Sequence, residues 1–309
     1  MTTATPEAVP WDGPARFLPP PAPRAREDGT AHYREVTYAV PFGYRPLKLD
    51  LWVPATAGRA PVVVWVHGGA WIFGDRRELP PTLQPDQVFD ALVEAGLAVA
   101  SIDYRLVREA AFPAQLHDVK AAVRYLRAHA DQLGLDTERM GVWGESAGGH
   151  LASLVGLTAH RPDLDGNLGV VGPSSAVDVV VDWYAPIDLE TMPRPTGPSP
   201  LADILPEGVA SPEAQLLDGL DERTRSDVSP ISHVTAAAPP FLIVHGTADP
   251  LVPYSQSEQL AAALTAAGVP ARLVPVDGAG HIFLGCTDIG AVVRLSVEYL
   301  ADALLETRT

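Results

Sequence analysis

A chain of 309 residues with 47% hydrophobic content has enough apolar material to bury a sizeable core, in one large domain or two small ones. Its formal net charge of -16 excludes nucleic acid as an expected partner, because phosphates need Lys and Arg to neutralise them, and argues equally against an anionic membrane surface. Cys286 is the single cysteine, so an internal disulfide is excluded, which fits a reducing compartment. The opening residues, Met-Thr-Thr-Ala-Thr-Pro-Glu, carry neither the basic nor the apolar segment of a signal peptide. No apolar run approaches the roughly 20 residues of a membrane-spanning helix, and a cytoplasmic protein is expected.

In chain order, residues 1–30 are proline-rich, with Pro19-Pro20-Pro21-Ala22-Pro23, and lack a periodic apolar pattern, so a disordered or loosely draped tail is expected. From Tyr33 the pattern alternates. Val36, Tyr38 and Val40, then Leu47, Leu49 and Leu51, flank a Pro41-Phe42-Gly43-Tyr44 turn and predict an antiparallel hairpin. Pro61–Val66 is a continuous run of the kind a strand buried on both faces requires, and it ends in His67-Gly68-Gly69-Ala70-Trp71. Val88, Ala91, Leu92 and Ala95 recur at helical spacing before Gly96, and residues 97–102 read as the next buried strand. Pro113 opens a long helix with a stripe of Leu116, Val119, Val123 and Leu126.

Met140, Val142 and Trp143 then lead into Gly144-Glu145-Ser146-Ala147-Gly148, and Ala147, Leu151, Leu154 and Val155 continue at helical spacing. A strand must turn sharply into a helix with Ser146 at the corner, and a side chain at either flanking glycine would collide with the adjoining strand or helix. The strand pattern returns at Ala176–Trp183. It stops from Ile187 to about Pro239, a stretch rich in proline, glycine and acidic residues with a helical hint near 212–217. Strands at 241–244 and 272–276 and helices through Leu260 and Val292 complete the chain. Alternating strands and helices predict an α/β fold with a mostly parallel sheet, helices on both faces and a cap insertion. The expected division is a tail over residues 1–30 and one catalytic domain over 31–309, with the insertion at about 187–239.

Right-handed crossovers bring the loops after the strands to one edge, so His67–Ala70, Ser146, Asp249 and His281 converge there. A serine hydroxyl needs a base to take its proton, and histidine suits neutral pH. Of the five histidines after Ser146, His150 lies one turn along the same helix, His160 and His233 lie in polar segments, and His245 abuts a strand end. His281, in the Gly278-Ala279-Gly280-His281 loop, is the expected base. The acid that orients it is expected to be Asp249, fixed by Pro250, with Asp182, Asp188 and Asp277 as rivals. Oxyanion donors are expected from the N–H groups of Gly69, Ala70 and Ala147, with Gly68 permitting the turn and His67 bracing it.

Together, His67-Gly68-Gly69-Ala70-Trp71, Gly144-Glu145-Ser146-Ala147-Gly148-Gly149, His245-Gly246-Thr247-Ala248-Asp249 and Gly280-His281 resemble the α/β-hydrolase esterases. The nearest resemblance is to the carboxylesterases with His-Gly-Gly-x-Trp, a group that includes feruloyl-esterase-like enzymes and kynurenine formamidases. The resemblance runs from about Tyr33 to the C-terminus and implies a Ser146–Asp249–His281 triad. It also implies a cofactor-free and metal-free hydrolase of small-molecule carboxylic esters. The same machinery leaves room for an amidase or arylformamidase, or for elimination, cyclisation or acyl transfer. A homodimer is compatible with all of these.

Trp71, Trp183 and Phe283, with Phe73 and Tyr184, follow strand ends and are expected to line an apolar cleft. Arg76 and Arg77 are expected to be a solvated pair, and Cys286 a small buried residue. The insertion, through residues 193–206, is expected to set substrate size.

Overall fold

A computed structural model describes residues 16–84, 87–192 and 209–306. A nine-stranded sheet organises the chain. Its strands are β1 (Arg24–Ala25), β2 (Ala31–Ala39), β3 (Leu47–Val53), β4 (Ala60–Val66), β5 (Ala98–Ile102), β6 (Leu135–Glu145), β7 (Val179–Trp183), β8 (Phe241–Gly246) and β9 (Ala271–Val276). They lie in the order β1-β2-β3-β5-β4-β6-β7-β8-β9. The predicted hairpin is the antiparallel β2–β3 pair, and from β5 to β9 every pairing is parallel.

The continuous apolar runs follow from burial on both faces. Along β4, Val62, Val64 and Val66 enter one core while Val63 and Trp65 enter the other. The first core is closed by α2 (Ala114–Ala128), α4 (Ala147–Leu157) and α7 (Ser255–Ala266), the second by α1 (Gln87–Glu94) and α8 (Ile289–Leu305). Trp65, Trp143 and Trp183 meet edge-to-face in the second core, with centroids 5.3 Å apart for the first two and 4.8 Å for the last two. A short α3 (Ala130–Leu133) ends at Gly134 and leads into β6. Within the insertion, Ser211 caps α5 (Pro212–Leu216) and Asp221 caps α6 (Glu222–Asp227) through their side-chain oxygens.

Residues 16–30 correct the expectation of a loose tail. Leu18 donates its N–H to Thr37 O at 3.0 Å, Val40 donates to Arg16 O at 2.8 Å, and β1 pairs with β2. Phe17 packs edge-on against Tyr125, whose hydroxyl donates to Leu18 O. The physical reason is the open outer edge of β2, whose backbone groups need partners, and a proline-rich segment is tolerated there because it lies at the sheet margin. Residues 1–15 lie outside the described residues.

Candidate active site

The turn between β6 and α4 positions Ser146 with φ 53° and ψ -119°, a conformation a non-glycine residue adopts only when its surroundings hold it. Ser146 N–H donates to Trp183 O at 2.9 Å and its carbonyl accepts from His150 N–H, so both sides of the corner are tied. A Cβ on Gly144 would lie 2.2 Å from Gly148 O, and one on Gly148 would lie 2.0 Å from Val66 O. Both glycines are therefore required by backbone approach. The half-buried Ser146 hydroxyl stands 2.9 Å from His281 Nε2.

His281 begins a short 3-10 turn, His281–Phe283, directly past β9. Its Nδ1 lies 2.7 Å from Asp249 Oδ2. A nitrogen beside a carboxylate carries the proton, so Nδ1–H donates to Asp249 and Nε2 is left to accept from Ser146. Asp249 Oδ1 accepts from the N–H groups of Leu251 and Val252, at 2.8 and 3.0 Å. Its Oδ2 has a second histidine partner, His245 Nε2 at 3.2 Å, which the sequence reading missed. His245 Nε2 faces two acceptors, Asp249 and Val252 O, so it carries the proton, and Nδ1 accepts from Ser257 Oγ at 2.6 Å. The signal for this contact was the i to i+4 spacing of His245 and Asp249 across a turn. Burial alone would raise the Asp249 carboxyl, but the hydrogen bonds from His245 and His281, with the His281 charge, hold it well below the usual carboxylate range.

The loop after β4 is braced from beneath. Gly68 N–H donates to Glu145 Oε1 at 2.7 Å, and a Cβ on Gly68 would overlap that carboxylate. Tyr104 donates its hydroxyl to His67 O, and its ring stacks on the His67 imidazole with centroids 4.3 Å apart. Burial pushes the His67 pKa down, so a neutral ring donates from Nδ1 to Gly68 O at 2.7 Å, the bracing role expected of it. Burial pushes the Glu145 carboxyl up, while His281, the Gly68 N–H and Tyr184 pull it down. Gly69, Ala70 and Trp71 follow with φ of 99°, 52° and 58°. The two non-glycine residues each store about 1–3 kcal/mol of backbone strain. Among the described residues, the N–H groups of Gly69, Ala70 and Ala147 donate to no protein acceptor, and Ala147 opens α4, where the helix dipole favours negative charge. The arrangement can abstract a hydroxyl proton and receive a developing anion.

The rival acids have other partners. Asp182 accepts from Ser153 Oγ and from Ala185 N–H, and burial pushes its pKa up to about 7. Asp188 accepts from Glu190 and Thr191 within its own turn, and Asp277 is exposed. His160 is exposed, and His233 Nε2–H donates to Asp227 O. His150 is wholly buried on α4, bonded to Trp71 and to Val228 O, and burial pushes its pKa down to about 4.

The expected substrate-lining residues are corrected by burial. Trp183 is 0% exposed and donates its indole N–H to Ser296 Oγ in the second core. Its phase explains this, since Trp183 alternates with Val179 and Val181, which face the same core. Phe283 is 1% exposed, edge-on to Trp183 and Tyr184, and Trp71 is 2% exposed. Phe73 is the expected lining residue that keeps substantial exposure, at 38%. Arg76 is not solvated but buried among Asp50, Asp103 and Glu35, whereas Arg77 is exposed and pairs with Asp75. Cys286 is half-buried. The centre of the insertion, residues 193–208, lies outside the described residues.

The BD-FAE family model matches residues 49–264. Esterase LipC of Mycobacterium tuberculosis is 36% identical over 282 residues, covering 89% of this chain and 66% of its own length. Esterase LipQ of the same organism is 33% identical over 288 residues, covering 88% of this chain and 62% of its own length, so the chain spans less than two thirds of the length of the curated relatives it matches. Among solved structures, a truncated carbohydrate esterase from gut microbiota is 30% identical with a TM-score of 0.75, covering 91% of this chain and 99% of that one. Esterase Est2 of Thermogutta terrifontis, with propionate bound, is 27% identical with a TM-score of 0.70, covering 89% and 96%. Among the described residues no helix is long and apolar enough to cross a membrane. The nine-stranded sheet, the serine turn and these matches lead to one conclusion: the chain has the α/β-hydrolase fold and belongs to the BD-FAE family.

Proposed function

We propose that the chain is a serine hydrolase that cleaves small-molecule carboxylic esters through an acyl-enzyme. The observation that carries this reading is the hydrogen-bonded row Ser146 Oγ–His281 Nε2 at 2.9 Å and His281 Nδ1–Asp249 Oδ2 at 2.7 Å. Ser146 Oγ attacks the ester carbonyl as His281 Nε2 takes its proton, and ionised Asp249 stabilises the imidazolium. The N–H groups of Gly69, Ala70 and Ala147 receive the oxyanion, each donor of this kind lowering the barrier by about 3 kcal/mol. His281 returns the proton to the leaving alcohol, and water then releases the acid by the reverse steps.

An ester, rather than an amide, is supported by the relatives, which are named esterase LipC, esterase LipQ and probable carboxylic ester hydrolase LipM. A short acyl group is supported by Est2, whose structure holds propionate. Cytoplasmic placement and a homodimer belong to the same proposal, checked by cell fractionation and by mass in solution. Ser146→Ala should lower hydrolysis of p-nitrophenyl acetate by about 10⁴-fold or more, because triad members act as a unit. Activity near the wild-type rate would reject the assignment. Faster turnover of an N-formyl aromatic amide than of the ester would move the reading to a formamidase.

A further inference from the structure

The strained loop that carries Gly69 and Ala70 needs an anchor on its far side, and His150 supplies one. Trp71 donates its indole N–H to His150 Nδ1 at 3.3 Å. An indole only donates, so Nδ1 is unprotonated and the proton sits on Nε2, which donates to Val228 O at 2.7 Å. His150 is 0% exposed, and Val228 is likewise buried. Each ring nitrogen thus has one partner, and the two partners belong to different segments of the fold.

Val228 lies in the returning arm of the insertion, directly after α6 and before β8. Ser229 Oγ, next to it, accepts from Leu189 N–H at 3.1 Å, and Ile231 N–H donates to Ile187 O at 3.3 Å. Gln256 Oε1 on α7 accepts from the N–H groups of both Ile187 and Asp188. The outgoing and returning ends of the insertion are therefore stitched to each other and to α7. His150 joins that root to the loop after β4, from a helix whose first residues also hold Ser146.

We propose that His150 is a positioning residue that clamps the oxyanion loop to the root of the insertion, through Trp71 on one side and Val228 on the other. The inference rests on the esterase reading above. It gives a buried histidine that plays no part in proton transfer a definite task, which is to hold Trp71 and hence Ala70 and Gly69 in their left-handed conformations. Any movement of the insertion root would reach the anion-binding N–H groups through two hydrogen bonds.

The test measures kcat and KM on p-nitrophenyl acetate for His150→Leu, His150→Gln, Trp71→Phe and the Trp71→Phe/His150→Leu double variant. Fluorophosphonate labelling of Ser146 and a thermal midpoint accompany each. Misplaced oxyanion donors lower kcat, so His150→Leu should lose about 10- to 100-fold in kcat with little change in KM. Trp71→Phe, which removes the donor together with part of the buried ring, should lose a similar or larger factor, and the double variant no more than the worse single one, because both break the same link. His150→Gln, which can accept from Trp71 and donate to Val228, should recover most of the rate. A folded His150→Leu with kcat within about twofold of wild type, or losses that multiply in the double variant, would overturn the inference. Should His150→Leu fail to fold, an unimpaired Trp71→Phe overturns it equally. A wild-type chain that the fluorophosphonate does not label would overturn the esterase reading and this inference together, whereas a labelled wild type with unimpaired variants overturns this inference alone.

Discussion

Asp249 and Asp182 are both buried acids at the ends of neighbouring strands, and their surroundings shift their carboxyls in opposite directions. Asp249 receives two backbone N–H groups and two histidines, and stays ionised. Asp182 receives one hydroxyl and one N–H, and burial pushes its pKa up to about 7. In the proposed mechanism an ionised acid stabilises the imidazolium that forms on His281. Asp249→Asn is therefore expected to lower kcat/KM on p-nitrophenyl acetate by about 10³- to 10⁴-fold, and Asp182→Asn by no more than a few fold. Equal losses would contradict the assignment of the acid. Asp182 also carries a pH signature in stability. Its folded pKa lies above the ordinary 3.8, so the folded state holds the extra proton between about pH 4 and pH 7. The stability associated with that proton is lost as pH rises through this window. Asp182→Asn removes the loss, so its stability relative to wild type should climb from pH 4 to pH 7 and then level off. The opposing contributions of His117 and His150, both pushed down to about 4, are common to both proteins and cancel in the difference. Urea denaturation at a series of pH values measures it, and a flat difference would refute the reading.

At the scale of elements, the β6–α4 turn is set by how closely three backbones approach. Gly148 lies against the carbonyl of Val66 at the end of β4, and neither strand nor helix can yield without breaking its own hydrogen bonds. Gly148→Ala should therefore destabilise the fold at the upper end of overpacking, about 3 kcal/mol or more. Gly58→Ala, where nothing lies within 4 Å of the added carbon, should be near neutral. Urea midpoints for the two variants check this, and similar values would contradict it. This turn was legible in the sequence because glycine spacing reports backbone approach directly. The strand ends carrying Asp249 and His281 were legible for a related reason, since a parallel sheet with right-handed crossovers leaves them only one edge. What was not legible depended on contacts between distant segments. His245 meets Asp249 because the turn after β8 folds back against α7, where Ser257 holds the ring. Arg76 is buried between the buried acids Asp50 of β3 and Asp103 at the end of β5, with the exposed Glu35 of β2 beside it, none near it in sequence. Trp183 is a different case: its phase with Val179 and Val181 specifies burial, and phase outweighs position at a strand end.

For the whole molecule, the sheet separates two cores and gathers its chemistry at one edge. Trp65, Trp143 and Trp183 form a rigid aromatic layer beneath the strands that carry the site, and α2, α4 and α7 close the other face. Residues 16–30 complete the sheet margin beside β2, on the opposite side of the strand order from β8 and β9, which lead to Asp249 and His281. The loop after β4, the serine turn, the Asp249 turn and the His281 turn come from four separate crossovers, and no single segment holds the site. The proposed reaction therefore requires a covalent intermediate that all four must cooperate to make. The most direct measurement is acid quenching during turnover of p-nitrophenyl acetate, followed by mass spectrometry of the intact chain and its peptides. One acetyl group per chain is expected, located on Ser146 and absent from Ser146→Ala. Turnover with no acetylated Ser146, or with the acetyl group on another residue, would contradict it.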